Sequence, residues 1–287
     1  MIRLSNGHSF EFVAASGALA FDGNGWPWEW PLRWIGLIEP LQFTIITKSL
    51  TLKPRRGHLR WYKPWGCVRF IKEGVVNAIG LTNPGIDWWI DTVYPKLLST
   101  QRSVVVSLAG EEPEEYIAMA KKLRSLVFLK GIEINASCPN SQGELQKNVN
   151  VIIETVQSVK QAAGLPILLK LSCTHDYVSI AKALEGVVEA ININSIPWGE
   201  QFPNQTSPLA NFGGGGVSGK VAQEKNWGMV ETLAKETKIP VIGPGVWEFE
   251  DIQKLFTLGA KAVAFGSVFL RAPWKPTAFV KRFSNTL

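Results

Sequence analysis

The chain is poor in the residues that build disulfide scaffolds, metal centres and catalytic triads: its 287 residues include three cysteines, three histidines and no CxxC pair. The odd number of thiols, at Cys67, Cys138 and Cys173, argues against a disulfide framework and fits a reducing compartment. His8, His58 and His175 stand in no metal spacing and no Ser/His/Asp pattern, so metal catalysis and triad hydrolysis find no support. Long apolar runs are missing too. The start, MIRLSNGHSFEF, has no hydrophobic leader core, and no later run approaches the ~20 apolar residues that a membrane span requires. A soluble, cytoplasmic protein without a targeting segment or membrane partner is the expectation.

What is present is ordinary globular composition, 46% hydrophobic and 19% charged, which excludes disordered and fibrous classes. The formal net charge of +6 suits an anionic ligand. Its lysines and arginines are scattered apart from the run 53–60, which reads as a solvated loop rather than a nucleic-acid surface. Four of the twelve tryptophans, Trp26, Trp28, Trp30 and Trp34, crowd into 23–34. They suit either a membrane- or partner-contacting patch or, the favoured reading, a helix and loop packed on the wall of the fold.

From about residue 100 short β-rich apolar runs alternate with longer segments whose apolar residues recur every three or four positions, the rhythm of βαβ units. Strands are predicted over 103–108, 131–135, 166–171, 190–195, 240–243 and 262–266, with helices over 112–126, 148–163, 177–184, 226–237, 248–258 and 276–283. Earlier runs at 12–16 and 43–47 bring the strands to eight, the number that closes a (β/α)8 TIM barrel. An open doubly wound sheet is the competing architecture. No linker or low-complexity stretch divides the chain, so 1–287 reads as one domain.

In such a barrel, polar residues at the C-terminal ends of strands face the reaction site. Here those ends carry Lys48-Ser49, Asn135-Ala-Ser-Cys138-Pro-Asn140, Lys170 and Asn194-Ser195. A lone strand-end lysine is usually a surface residue with an extended stem, but amides, a thiol and two lysines over four ends form a consistent set. Gly213 to Gly219 before a helix, Gly243-Pro-Gly245 and Gly266-Ser267 supply anion-binding turns, since glycine lets backbone N–H groups approach a phosphate. Cys138, in a polar loop between two asparagines, reads as a base or nucleophile. Cys67 and Cys173 lack such company and are assigned to packing.

With these pieces in order, the sequence resembles the dihydroorotate dehydrogenase family from about residue 12 to 270. The motifs are Ala15-Ser16-Gly17, Ile46-Thr-Lys48-Ser49, Asn77-Ala78-Ile79-Gly80-Leu81, Asn135 to Asn140, Lys170, Asn194-Ser195, Gly215 to Gly219, Gly243-Pro-Gly245 and Gly266-Ser267. The resemblance implies FMN at the barrel mouth, its phosphate on backbone groups of Gly219, Gly245, Val246, Gly266 and Ser267. Ala15, Ser16, Gly17, Lys48, Ser49, Asn135, Lys170 and Ile193 would line its ribityl chain and ring, with Lys170 beside the N1/C2 carbonyl edge. The substrate would meet Asn77, Asn135, Asn140, Asn194 and Ser195, the loop Ala78, Ile79, Gly80 and Leu81 closing one edge and Lys48 pairing its carboxylate. Cys138 would take the C5 proton of dihydroorotate while a hydride leaves C6.

A thiol in that role resembles the class 1, cytosolic branch, which implies a homodimer and an electron acceptor such as fumarate, or NAD through a partner flavoprotein. The segments 23–34 and 53–66 match no family pattern, the loop after Asn140 lacks a lysine and proline often found there, and Val246 stands where a glycine is usual. Two other readings remain: a related FMN barrel acting on another pyrimidine, of the dihydropyrimidine dehydrogenase or dihydrouridine synthase kind, and a catalytically silent barrel that binds a phosphorylated ligand.

Overall fold

Period-two alternation along a strand decides which side chains fill the centre of a barrel and which face its helices. The computed structural model describes residues 1–60, 62–136 and 148–285. Its strands, in chain order, are β1 (Ile2–Arg3), β2 (Ser9–Phe10), β3 (Phe12–Ala14), β4 (Thr44–Ile46), β5 (Val68–Ile71), β6 (Gly74–Asn77), β7 (Ser103–Leu108), β8 (Gly131–Asn135), β9 (Ile167–Leu171), β10 (Ala190–Ile193), β11 (Ile196–Pro197), β12 (Gly216–Gly219), β13 (Ile242–Gly243) and β14 (Ala262–Phe265). Eight of these run parallel in the order β10-β9-β8-β7-β4-β3-β14-β13. A bridge between Ile191 and Val241, with Ile191 N donating to Pro240 O at 2.9 Å, brings the last edge to the first and closes the (β/α)8 barrel. All eight strands expected from the sequence form, 103–108 and 131–135 at the expected bounds and the other six shorter by one or two residues.

Inside the lower half, Val13, Ile46, Val105, Leu168, Ala190, Ile242, Ala262 and Ala264 pack on Ile2, Leu4 and Phe10 of the β1-β2 hairpin. The hairpin plugs the N-terminal end: Ser5 bonds Glu189 ahead of β10, Asn6 bonds the carbonyl of Lys130 ahead of β8, and His8 meets Thr44 at the start of β4. The intervening residues Ala14, Ile45, Val104, Ile132, Ile134, Leu169, Val263 and Phe265 point outward into the helical layer. In the upper half the inward face turns polar, with Ser107, Glu133, Asn135, Lys170 and Asn192 all buried.

The helix Val149–Ala163 illustrates the outer layer. Asn148 caps its start by accepting from Asn150 N, Ile152, Val156, Val159 and Ala163 turn one buried stripe to the sheet, and Gly164 at φ 64° ends it. Helices at Pro113–Leu123, Tyr177–Ala183, Gln223–Glu236, Glu250–Thr257 and Lys275–Ser284 occupy the other expected places. Among the described residues no helix is long and apolar enough to cross a membrane.

One layer departs from the expected barrel. β11, β12, β6 and β5 form a separate antiparallel sheet over the C-terminal mouth, with Val217 paired to Val76 on one side and Ile196 on the other. The glycine run expected as a turn before a helix therefore contributes a strand, because Val217 buries with Val76, Ala78, Trp198 and Leu209 in a core of its own. Gly216, Ser218 and Gly219 open toward the mouth. Gly219 sits at φ 103°, and a Cβ there would come within 2.8 Å of Trp247 and 2.9 Å of the Gly74 backbone.

Phe265 is fully buried, with its ring 6.2 Å from Phe12 and 5.7 Å edge-on from Phe43. Phe265→Ala is expected to lower the unfolding free energy by about 3–5 kcal/mol, read from denaturant titration; a loss below about 1 kcal/mol would contradict this packing.

Candidate active site

The strand ends and the overlying sheet enclose a cleft of about 500 Å³ at the C-terminal mouth of the barrel. Ala15, Ser16 and Gly17 leave β3 along its wall, and Lys48 and Ser49 leave β4 beside them. The wall continues through Asn135 of β8, Lys170 of β9 and Ile193, Asn194 and Ser195 at the end of β10. Asn77, Ile79, Gly80 and Leu81 enter from β6 and the loop after it, while Gly219, Gly245, Gly266 and Ser267 form the glycine end. These are the residues that the sequence singled out, brought to one hollow.

Two of the set turn away. Ala78 directs its side chain into the small core with Val76 and Val217, since alternation along β6 gives Asn77 to the cleft and its neighbours to the interior. Val246 packs its side chain in the main core and offers the cleft no side-chain surface. Cys138 and Asn140 lie outside the described residues.

The polar layer beneath the cleft is joined from strand to strand. Ser107 Oγ donates to Glu133 Oε1 at 2.8 Å, and Asn192 Nδ2 donates to Glu133 Oε2 at 2.8 Å. Ser49 Oγ lies 2.9 Å from Ser107 Oγ and accepts from Asn135 Nδ2 at 3.1 Å, while Ser16 Oγ donates to Thr47 O at 2.9 Å. Glu133 and Asn192 were not among the expected site residues, although Gly131-Ile-Glu-Ile-Asn135 already puts Glu133 on the face of Asn135. Asn226, on the first turn of Gln223–Glu236, was also missed; it lines the cleft with its Oδ1 buried and without a hydrogen-bond partner.

Lys170 is the electrostatic centre of the cleft. It is 9% exposed, its register neighbours are Asn135 on β8 and Asn192 on β10, and among the described residues no carboxylate comes within ion-pair distance. A buried ammonium flanked only by amides is costly unless an anion or a negatively charged ring edge shares the site. The cleft thus supplies two buried lysines, Lys48 and Lys170, and the carboxamides of Asn77, Asn135, Asn192 and Asn194. It also has close-packed glycines and an unsatisfied amide oxygen, a set that fits a phosphorylated, hydrogen-bonding ring system. Burial pushes the Cys67 and Cys173 thiols up, which suits inert packing residues.

The rim is aromatic, and here the tryptophan segment differs from a wall-packed helix. Trp30–Trp34 makes a helix with no buried residue, while Trp26 and Trp28 stack 5.4 Å apart and line the cleft. Trp26 Nε1 donates to Gly17 O at 3.0 Å, tying the stack to the loop after β3.

A family model described as dihydroorotate dehydrogenase matches residues 39–286. Over 228 residues the chain is 32% identical to dihydroorotate dehydrogenase A (fumarate) of Lactobacillus delbrueckii subsp. bulgaricus, covering 76% of this chain and 74% of that one. It is 31% identical over 264 residues to the catalytic subunit of dihydroorotate dehydrogenase B (NAD(+)) of Caldicellulosiruptor bescii, covering 89% and 83%. A crystal structure of ligand-free DHODH from Eimeria tenella superposes with a TM-score of 0.64 over 83% of this chain and 75% of that one, at 17% identity, a likeness of fold.

At the rim, Glu29 anchors the stacked pair. Its Oε2 accepts from Trp26 N at 2.7 Å, its Oε1 is buried without a partner, and burial pushes its carboxyl up to about 7. A carboxyl whose folded pKa exceeds its unfolded value stabilises fully below the unfolded value and loses that contribution as pH rises through the folded one. Glu29→Gln keeps an acceptor for Trp26 N and has no such loss. The melting temperature of the wild type is therefore expected to fall relative to Glu29→Gln between pH ~5 and ~8; a constant difference across that window would contradict the assignment.

Proposed function

The chain belongs to the dihydroorotate dehydrogenase family, oxidoreductases of pyrimidine biosynthesis, and we propose that it oxidises (S)-dihydroorotate to orotate in this cleft with FMN as its flavin. The observation that carries the proposal is the buried Lys170 ammonium facing a hollow that Asn77, Asn135 and Asn194 also line. Carboxamides match the N–H and C=O groups of a dihydropyrimidine, and a fixed cation stabilises negative charge that develops on an adjacent ring.

In this reading backbone groups of Gly219, Gly245, Val246, Gly266 and Ser267 hold the phosphate. Ala15, Ser16, Gly17, Ser49 and Ile193 would follow the ribityl chain and ring, and Lys170 would sit beside the ring's N1/C2 carbonyl edge. FMN, when bound, supplies the hydride acceptor for C6 of the substrate at its N5. Lys48 pairs with the substrate carboxylate. Asn77, Asn135, Asn140, Asn194 and Ser195 orient the ring, with Ala78 to Leu81 closing one side. Cys138, as its thiolate, takes the C5 proton; that role rests on the Asn135-Ala-Ser-Cys138-Pro-Asn140 motif.

The homodimer, the single domain and a cytoplasmic setting belong to the same proposal. Relatives named for fumarate and for NAD(+) support a soluble electron acceptor, reached directly or through a partner flavoprotein.

Steady-state turnover on dihydroorotate and on dihydrouracil tests the substrate: activity on the first and none on the second is expected, and the reverse would refute the proposal. Cys138→Ser is expected to lower kcat at pH ~7 at least about a hundredfold, the range of a lost general base. Unchanged turnover in that variant would remove Cys138 from the role.

A further inference from the structure

Two stretches of the chain take no part in the chemistry above, 23–34 and 53–66, and they meet at the mouth of the cleft. Trp28 lines the cleft from the first; Pro64 and Trp65 line it from the second, and so does Phe70 of β5. Both sides turn apolar groups outward. Trp28, Trp30, Trp65 and Phe70 are exposed, and Trp34 and Ile35 are 71% and 70% open to solvent. The helix Trp30–Trp34 buries no residue, so its two tryptophans contribute little to the core. The second side adds charge of one sign. Residues 53–72 contain seven lysines and arginines and no aspartate or glutamate. Arg55 pairs with Glu111, whereas Lys53, Arg56 and Lys63 are exposed with no carboxylate at ion-pair distance among the described residues.

We propose that this aromatic and basic rim is a docking surface for an anionic lipid bilayer, which seats the protein with the mouth of its cleft toward the membrane. Tryptophan favours the boundary between headgroups and acyl chains, because its ring is apolar and its N–H is polar. Cations without internal partners, set beside it, meet the negative headgroups. A helix of five residues cannot span a bilayer, so the contact is peripheral. A second copy of this chain fits the surface poorly: a twofold contact through the rim would bring two basic 53–72 segments together. An acidic protein would need a hollow shaped to side chains that here stand out from the fold, whereas a fluid bilayer yields to them without one. The inference goes beyond the dihydroorotate reading and is independent of it, since it uses no residue of the polar layer.

Co-sedimentation of the flavin-loaded protein with vesicles tests the surface. Binding to phosphatidylcholine vesicles that carry about 30% phosphatidylglycerol is expected to be at least about tenfold tighter than to phosphatidylcholine alone, and to weaken in ~0.5 M salt. Two double variants, Trp34→Ser with Ile35→Ser and Arg56→Glu with Lys63→Glu, are each expected to lose about tenfold in that affinity while flavin content and turnover stay at the wild-type level. Lipids brominated along the acyl chain are expected to quench the fluorescence of the wild type more than that of Trp34→Phe, which reports the ring inside the bilayer. Equal affinity for charged and neutral vesicles, or wild-type affinity in both double variants, would overturn the proposal. A wild type that ignores vesicles would overturn it too, and a dimer in sedimentation velocity that Trp34→Ser with Ile35→Ser breaks would then give the face to a second copy.

Discussion

The structure turns on one constraint: a barrel interior that is apolar below and charged above must satisfy every polar group it buries. Ile46, Val105 and Leu168 close the lower half against the hairpin, so water cannot reach the upper layer from that end. Above them Glu133, Asn135, Lys170 and Asn192 lie at the low dielectric where an unpaired charge is most costly. Glu133 is satisfied from within the barrel, whereas Lys170 faces the cleft with no carboxylate at ion-pair distance among the described residues. That asymmetry is why the hollow above Lys170 is a site rather than a void.

The outer pieces serve the same end. The antiparallel sheet of β5, β6, β11 and β12 roofs the mouth with its own small core, and it brings Asn77 and Gly219 to the cleft from above. Trp26 and Trp28 narrow the entrance, tied to the loop after β3 and to Glu29. Both elements restrict solvent, which strengthens the field of Lys170 on whatever ring lies beneath them.

The eight barrel strands were legible in the sequence because each is a short apolar run between turn signals, with a helical period following. Lys48, Lys170 and Asn194 could be picked out because polar residues break those runs at their C-terminal ends. The roofing sheet was not legible. Val68–Ile71 and Gly216–Gly219 are short and the second is half glycine; the first pairs with Gly74–Asn77 across a tight hairpin, but the second joins Gly74–Asn77 from far along the sequence. Glu133 was hidden by its setting: a glutamate between two isoleucines reads as part of a strand, and only the closed cylinder makes its face the interior. Asn226 gave no signal at all, since one amide on a helix's first turn looks like any surface position until the cleft beside it is seen.

The central claim is that the Lys170 ammonium answers negative charge on the ring bound above it. The most direct test is the two-electron midpoint potential of the bound flavin in the wild type and in Lys170→Ala. The account predicts a potential at least about 30 mV lower in the variant, a tenfold loss in favour of the reduced form. A potential that is unchanged or higher would contradict it.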